Sequence, residues 1–212
     1  MLKTQSSINL VVAAYQENLD WIKQINHPTI IYNKNNQPIN AVNAKVIQLA
    51  NIGRESHSYL HHIITNYNTL ADVTIFSQGN PFDHCPQFID IANSYNIQRM
   101  NDLAKKYDKR NWPKSNKNFC MIGHGYHRDY LTMDHWNYQW MLPYAIITLE
   151  IFHSRKAAPT TFTGNWGAIF AVSKEFLLKF NVNQYRELYD LHYKYWSIPW
   201  SMELIWYHIF ND

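Results

Sequence analysis

The chain is poor in cysteine, in runs of one charge and in long apolar stretches, and each shortage removes a class of protein. Its two cysteines, Cys85 and Cys120, are too few for a disulfide framework and too widely spaced for a Cys-based zinc pattern. A reducing, cytoplasmic setting is therefore expected. No Lys/Arg run reaches the length of a nucleic-acid-binding tail; the densest stretch is residues 105–110, in a chain of net charge +3. A nucleic-acid partner is not expected. The first seven residues contain no apolar leader core, and the longest apolar stretch, residues 141–152, is interrupted by Pro143 and Glu150. Neither export nor a membrane span is expected. Without an internal repeat, a low-complexity tract or a linker, residues 1–212 read as a single domain.

What is present suits a folded α/β chain. Hydrophobic residues make up 46% and charged residues 17%, close to globular averages, and 212 residues suffice to bury a core. Aromatic residues reach 16%, with 15 Tyr and 8 Trp, and such rings stack on bases or sugars as well as filling cores. A β-branched run predicts a buried strand over 8–15; apolar spacing predicts a short helix over 16–25 and a second strand over 29–34. A longer amphipathic helix is predicted over 53–67, and a further buried strand over 71–77. Helices are expected over 88–107, 174–180, 185–196 and 201–210, with a polar connection over 108–118, a loop over 160–165 and a strand over 166–172. This alternation predicts an open sheet with helices on both faces, whose ligands bind beyond the carboxyl ends of the strands.

Several segments lie where such a ligand would bind. Ala14, Tyr15 and Gln16 end the first strand and offer either a nucleotide-base pocket or an ordinary strand-to-helix turn; Asn33 ends the second. Gln78, Gly79 and Asn80, with Asp83 and His84 just beyond, present oxygen ligands for a hard cation against a diphosphate, or a plain Gly-Asn-Pro turn. Arg54 opens a helix where its fork of donors and the helix dipole would meet phosphate together. His57 and His61 share that helix at the i, i+4 spacing of a zinc site, but Ser58 stands where a zinc protease needs its Glu. On an exposed helical face, such a pair is expected to be solvated. Gly164, Asn165 and Trp166 either form a platform for a sugar or a turn beside a core Trp. Glu203 and His208 are ionisable groups in an apolar helix, so each is expected to face a partner or a cleft.

The runs at 11–17, 53–60, 71–84, 167–173 and 203–210 resemble a group of fungal, bacterial and viral proteins that includes the chlorella-virus glycosyltransferase domain of capsid-glycan synthesis. The resemblance covers nearly the whole chain. It implies a GT-A-like, Rossmann-related fold with a central mixed, mostly parallel sheet flanked by helices on both faces. It also implies a UDP-sugar donor, Mn²⁺ (or Mg²⁺), and transfer of a glucose- or rhamnose-like sugar to a glycan or glycoprotein hydroxyl, in host cytoplasm for a viral protein. On this reading Gln78-Gly79-Asn80 occupies the place of the Asp-x-Asp metal motif without its carboxylates, and His208 matches a C-terminal metal-binding histidine. Asn80 and His208 are then the expected metal ligands, with Glu203 or Asp83 handling the acceptor. The alternatives are an inactive nucleotide- or carbohydrate-binding module on the same fold, and a zinc hydrolase using His57 and His61.

Overall fold

The computed structural model describes residues 6–107, 116–123, 125–129, 140–157, 159 and 161–211. In the first half three strands, β1 (Ile8–Ala14), β2 (Thr29–Asn33) and β3 (Ala44–Gln48), precede the first α-helix, α1 (Arg54–Thr65), which leads to β4 (Val73–Gln78), in place of the expected alternation of strand and helix. Then come α2 (Phe88–Ala92), α3 (Ile97–Tyr107), β5 (Phe119–Met121), β6 (Gly125–Asp129), α4 (Leu142–His153), β7 (Thr161–Asn165) and β8 (Phe170–Ser173). The chain finishes with α5 (Lys174–Leu177), α6 (Val182–Lys194) and α7 (Ile198–Asn211).

Six strands form one mixed sheet in the order β3-β2-β1-β4-β8-β5, and β6 pairs with β7 in a separate ribbon. Strands β3, β2, β1 and β4 are mutually parallel, whereas β8 runs antiparallel to both β4 and β5. Because side chains alternate across a strand, each buried strand feeds two cores. Val11, Phe76, Phe170 and Val172 pack with Tyr59 of α1, Leu149 of α4, Leu188 of α6 and Trp206 of α7. Leu10, Val12, Ile75 and Ala171 pack on the opposite side with Trp21, Phe88 and Met100. The chain is thus an α/β domain whose mixed sheet is covered by helices on both faces. None of its described helices is long and apolar enough to cross a membrane.

Local chemistry changes some predicted elements. In place of a helix over 16–25 there is only a 3-10 turn at Asp20–Gln24. Glu17 Oε2 accepts the N–H groups of Tyr15 and Gln16 at 2.7 and 3.1 Å, and Asn18 Oδ1 accepts that of Asp20 at 2.8 Å, so side chains compete for the helix donors. The predicted helix over 88–107 is broken at 93–96, where Asn93 bonds Asn26 and Gln24, and Asn96 Oδ1 caps the Arg99 N–H at 2.8 Å. The expected loop over 160–165 is strand β7 over its described part. The expected strand over 166–172 starts only at Phe170, because Gly167 (φ 78°) and Ala168 (φ 48°) are left-handed. Most of the polar connection at 108–118 lies outside the described residues.

Candidate functional site

Crossover direction reverses between β1 and β4, so the carboxyl ends of these two strands define the crevice where an open α/β sheet takes its ligand. At that edge a cavity of ≈ 700 Å³ opens between the end of β4, the start of α1, the link from β7 to β8 and the first turns of α7. Arg54, Gln78, His84 and Glu203 supply its polar groups, and four tryptophans, Trp140, Trp166, Trp196 and Trp200, form its apolar surface together with Met141 and Leu204.

Arg54 is held from every side. Its backbone is left-handed at φ 47°, just after Gly53 at φ 65°, a conformation that persists only where surrounding contacts enforce it. The buried Lys34 at the end of β2 donates to the carbonyl oxygens of Ile52 and Arg54, tying this turn to the sheet. The guanidinium lies over the Trp200 ring at 3.9 Å; Nε is 3.4 Å from Glu55 Oε2, and Nη2 is 3.7 Å from Glu203 Oε1. Trp200 and Glu203 are one turn apart on α7 and share a face, which brings both to the same cation.

The carboxyls are tuned by this setting. Burial pushes Glu203 up to about 8, the charge of Glu55 pushes the same way, and Arg54 pulls back. Burial also raises Glu55, against the opposing charges of Arg54 and Lys34. Burial lowers Lys34 to about 8, Glu55 opposing. Near neutral pH Glu203 therefore holds a proton for most of the time, directly beside a permanent cation. Gln78 Nε2 donates to the Asn80 carbonyl at 2.6 Å, which fixes the amide in place. A Cβ on Gly167 would stand 2.6 Å from the His84 ring and 3.1 Å from the Gln78 amide, so only glycine lets these two side chains approach the link from β7 to β8.

Of the residues expected to form the site, the structure gathers Arg54, Gln78, His84, Trp166 and Glu203 around this cavity. Gly164 and Asn165 lie at the end of β7, opposite Tyr126 and Gly125, immediately before Trp166. The others are elsewhere. Ala14 is buried at the end of β1, while Tyr15 and Gln16 are exposed in the turn that Glu17 closes. Asn33 is buried and closes the turn to Gln37, its Nδ2 donating to the Gln37 carbonyl at 2.8 Å. The Gly79 carbonyl accepts Trp21 Nε1–H at 3.0 Å, and Asn80 faces a separate depression with Glu17, Asn18 and Phe82. Asp83 is exposed, and its Oδ2 accepts from Asn80 Nδ2 at 2.9 Å.

Nor do the expected metal ligands form a ready set. Asn80 Oδ1 accepts the Phe82 N–H at 3.3 Å, and His208 Nε2, on a buried side chain, accepts the Thr163 N–H at 3.2 Å. Among the described residues no three His, Cys, Asp or Glu side chains are grouped to hold a metal ion. As placed, the described side chains alone make no ligand set for Mn²⁺ or Mg²⁺. The expectation of a solvated histidine face on α1 is corrected, since the face that carries His57 is covered by α6. His57 is 1% exposed, its ring stacks on Tyr189 at 4.4 Å, and Nε2 lies 3.1 Å from the Tyr193 hydroxyl.

Trp140, Trp196, Trp200, Glu55 and Lys34 were not singled out as site residues by sequence reasoning. The crowding of Tyr195, Trp196 and Trp200 around Pro199 was the available signal, because a helix that starts at a proline and exposes its aromatics does not need them for its core.

With this geometry in place, the comparison with known proteins adds one result. The family model described as "Protein of unknown function (DUF3431)" matches residues 10–212, and the chain belongs to that family. No curated protein matches it.

Proposed function

We propose that this family member is a glycosyltransferase, moving a hexose or deoxyhexose from a UDP-sugar to a hydroxyl of a glycan, on a sheet of GT-A type. The observation that carries the reading is the placement of Arg54 and Glu203 in a tryptophan-lined cavity at the β1/β4 crevice. Arg54 binds the diphosphate with a planar fork of donors and offsets the charge that grows on it as the sugar leaves. The acceptor oxygen bonds to the anomeric carbon, the bond from that carbon to the diphosphate oxygen breaks with its electron pair, and the acceptor proton passes to the ionised form of Glu203. Gln78 and Trp166 hold the sugar between an amide and an indole face.

The resemblance implies Mn²⁺ or Mg²⁺, but no step is assigned to a metal, since the described side chains make no ligand set for one. The same observation favours a second reading, a nucleotide- or carbohydrate-binding module without turnover.

Calorimetric titration with UDP, GDP and CMP, each with and without Mn²⁺, tests the proposal. Selective UDP binding, followed by release of UDP from a UDP-sugar, is expected. Binding of UDP without any donor turnover favours the module, and absence of binding by all three nucleotides overturns both the donor and the enzyme.

A further inference from the structure

The rim of the cavity carries indoles that the transfer step does not use. Trp196 exposes 76% of its surface, and Trp140 and Trp200 expose about a third or more of theirs. One exposed indole is ordinary, whereas three at a single cavity mouth mark a surface that a ligand covers. Trp140 and Trp196 stack on each other with centroids 5.2 Å apart and planes at 25°, too close to admit a ring between them. A ring ligand therefore lies on an outer face. Within the same cavity Arg54, Gln78, His84 and Glu203 bring polar groups to a lining that is otherwise apolar.

A ligand that reaches from the rim to Glu203 must present a flat apolar face to indole and a hydroxyl group to the carboxyl. A pyranose does this, its axial C–H bonds forming the apolar face and its hydroxyls the edge. An alkyl chain would cover the polar groups and offer them no hydrogen bond, and a nucleobase lacks the ring of hydroxyls. Glu203 lies five residues into α7 and Trp196 two residues before the helix starts. Within the cavity Trp196 stands exposed at the mouth whereas Glu203 is buried, so a ligand that meets both must span from the mouth to the buried carboxyl.

We propose that Trp140, Trp196 and Trp200 form an acceptor subsite for an oligosaccharide of at least two pyranose units, one ring stacked on Trp196 while the reacting hydroxyl meets Glu203. Calling the subsite an acceptor site rests on the transferase reading; oligosaccharide binding by the indoles does not.

The test is tryptophan fluorescence titration of the full chain, without donor, using mono-, di- and tetrasaccharides of glucose, mannose, galactose, rhamnose, xylose and N-acetylglucosamine. At least one tetrasaccharide should bind tenfold or more tighter than its monosaccharide, and Trp196→Ala, at an exposed position that leaves the core intact, should weaken it at least tenfold. No saturable response to any of these sugars would overturn the subsite, as would a response unchanged in both Trp196→Ala and Trp140→Ala. Saturable oligosaccharide binding by a protein that ignores UDP would keep the subsite and sink the transferase instead.

Discussion

The guanidinium of Arg54 sits 3.9 Å above the ring of Trp200 while Nη2 reaches toward Glu203, 3.7 Å away. Position as well as charge is thereby fixed. Arg54→Lys keeps the charge but loses the fork and the planar stack, so UDP affinity should fall at least tenfold, about 1.4 kcal/mol, by calorimetry. Equal affinity in the two proteins would mean that Arg54 acts as a point charge or not at all.

Glu203 accepts a proton only when ionised. With its carboxyl pushed up to about 8, the transfer rate should climb as pH rises through that value and flatten above it. Glu203→Gln should remove the climb together with most of the rate, on the order of a hundredfold or more. A rate that falls across the same interval would assign Glu203 the opposite role, as an acid.

Stability should peak near pH 6.5. Burial holds His57 at about 3 and His62 and His192 at about 4, so below about 6.5 the unfolded chain takes up protons that the native one refuses. Each histidine costs about 1.4 kcal/mol per pH unit across that window, partly offset by Glu55 and Glu203, whose raised carboxyls favour the folded state as pH falls toward 4.5. Above 6.5 the raised Glu203 lowers stability toward pH 8, where Lys34, lowered by burial to about 8, begins to act in the opposite sense. Thermal unfolding from pH 4 to 8 should trace this dome, and Glu203→Gln should flatten its alkaline side. A melting temperature that rises steadily across the whole range would contradict the assignment.

Two tyrosine hydroxyls should respond in opposite ways to removal. The Tyr59 hydroxyl is buried with no hydrogen-bond partner among the described residues, whereas that of Tyr185 donates to the Leu177 carbonyl at 2.9 Å. Tyr59→Phe should be neutral or stabilising, and Tyr185→Phe should cost about 1 kcal/mol in urea unfolding. The reverse order would mean that Tyr59 hydroxyl meets a group not evident in the fold.

Gly167→Ala meets both a left-handed backbone and a Cβ approach of 2.6 Å to His84. A loss of about 1–3 kcal/mol is expected, along with weaker ligand binding as Gln78 is displaced from the cavity. A variant as stable as the parent would show that the link from β7 to β8 yields freely.

The buried parallel strands were legible because β1, β2 and β4 are continuous apolar runs, and α1 and α7 because their cores repeat at helical spacing. Strand β3 was not, since it lies at the sheet edge with Val46 exposed and offers no contrast between its faces. Strand β7 escaped because Gly164 reads as a turn, and only pairing with β6 makes the segment extended. Arg54, Gln78 and Glu203 were found from local cues, a helix start, a strand end and a charge in apolar company. The tryptophan rim was not, because Trp140 and Trp196 are 56 positions apart and meet only through the packing of α7 beside the start of α4.

The reversed direction of β8 has a consequence for how this protein could diversify. Its first residue, Phe170, stands opposite Phe76, so the chain enters the sheet at the edge where β1 and β4 leave it. The segment ahead of β8 can then lengthen, shorten or change sequence as a replaceable panel, while the parallel half keeps its alignment. Relatives that differ in what they recognise should therefore vary upstream of Phe170 and hold the strands from Ile8 to Gln78 nearly constant.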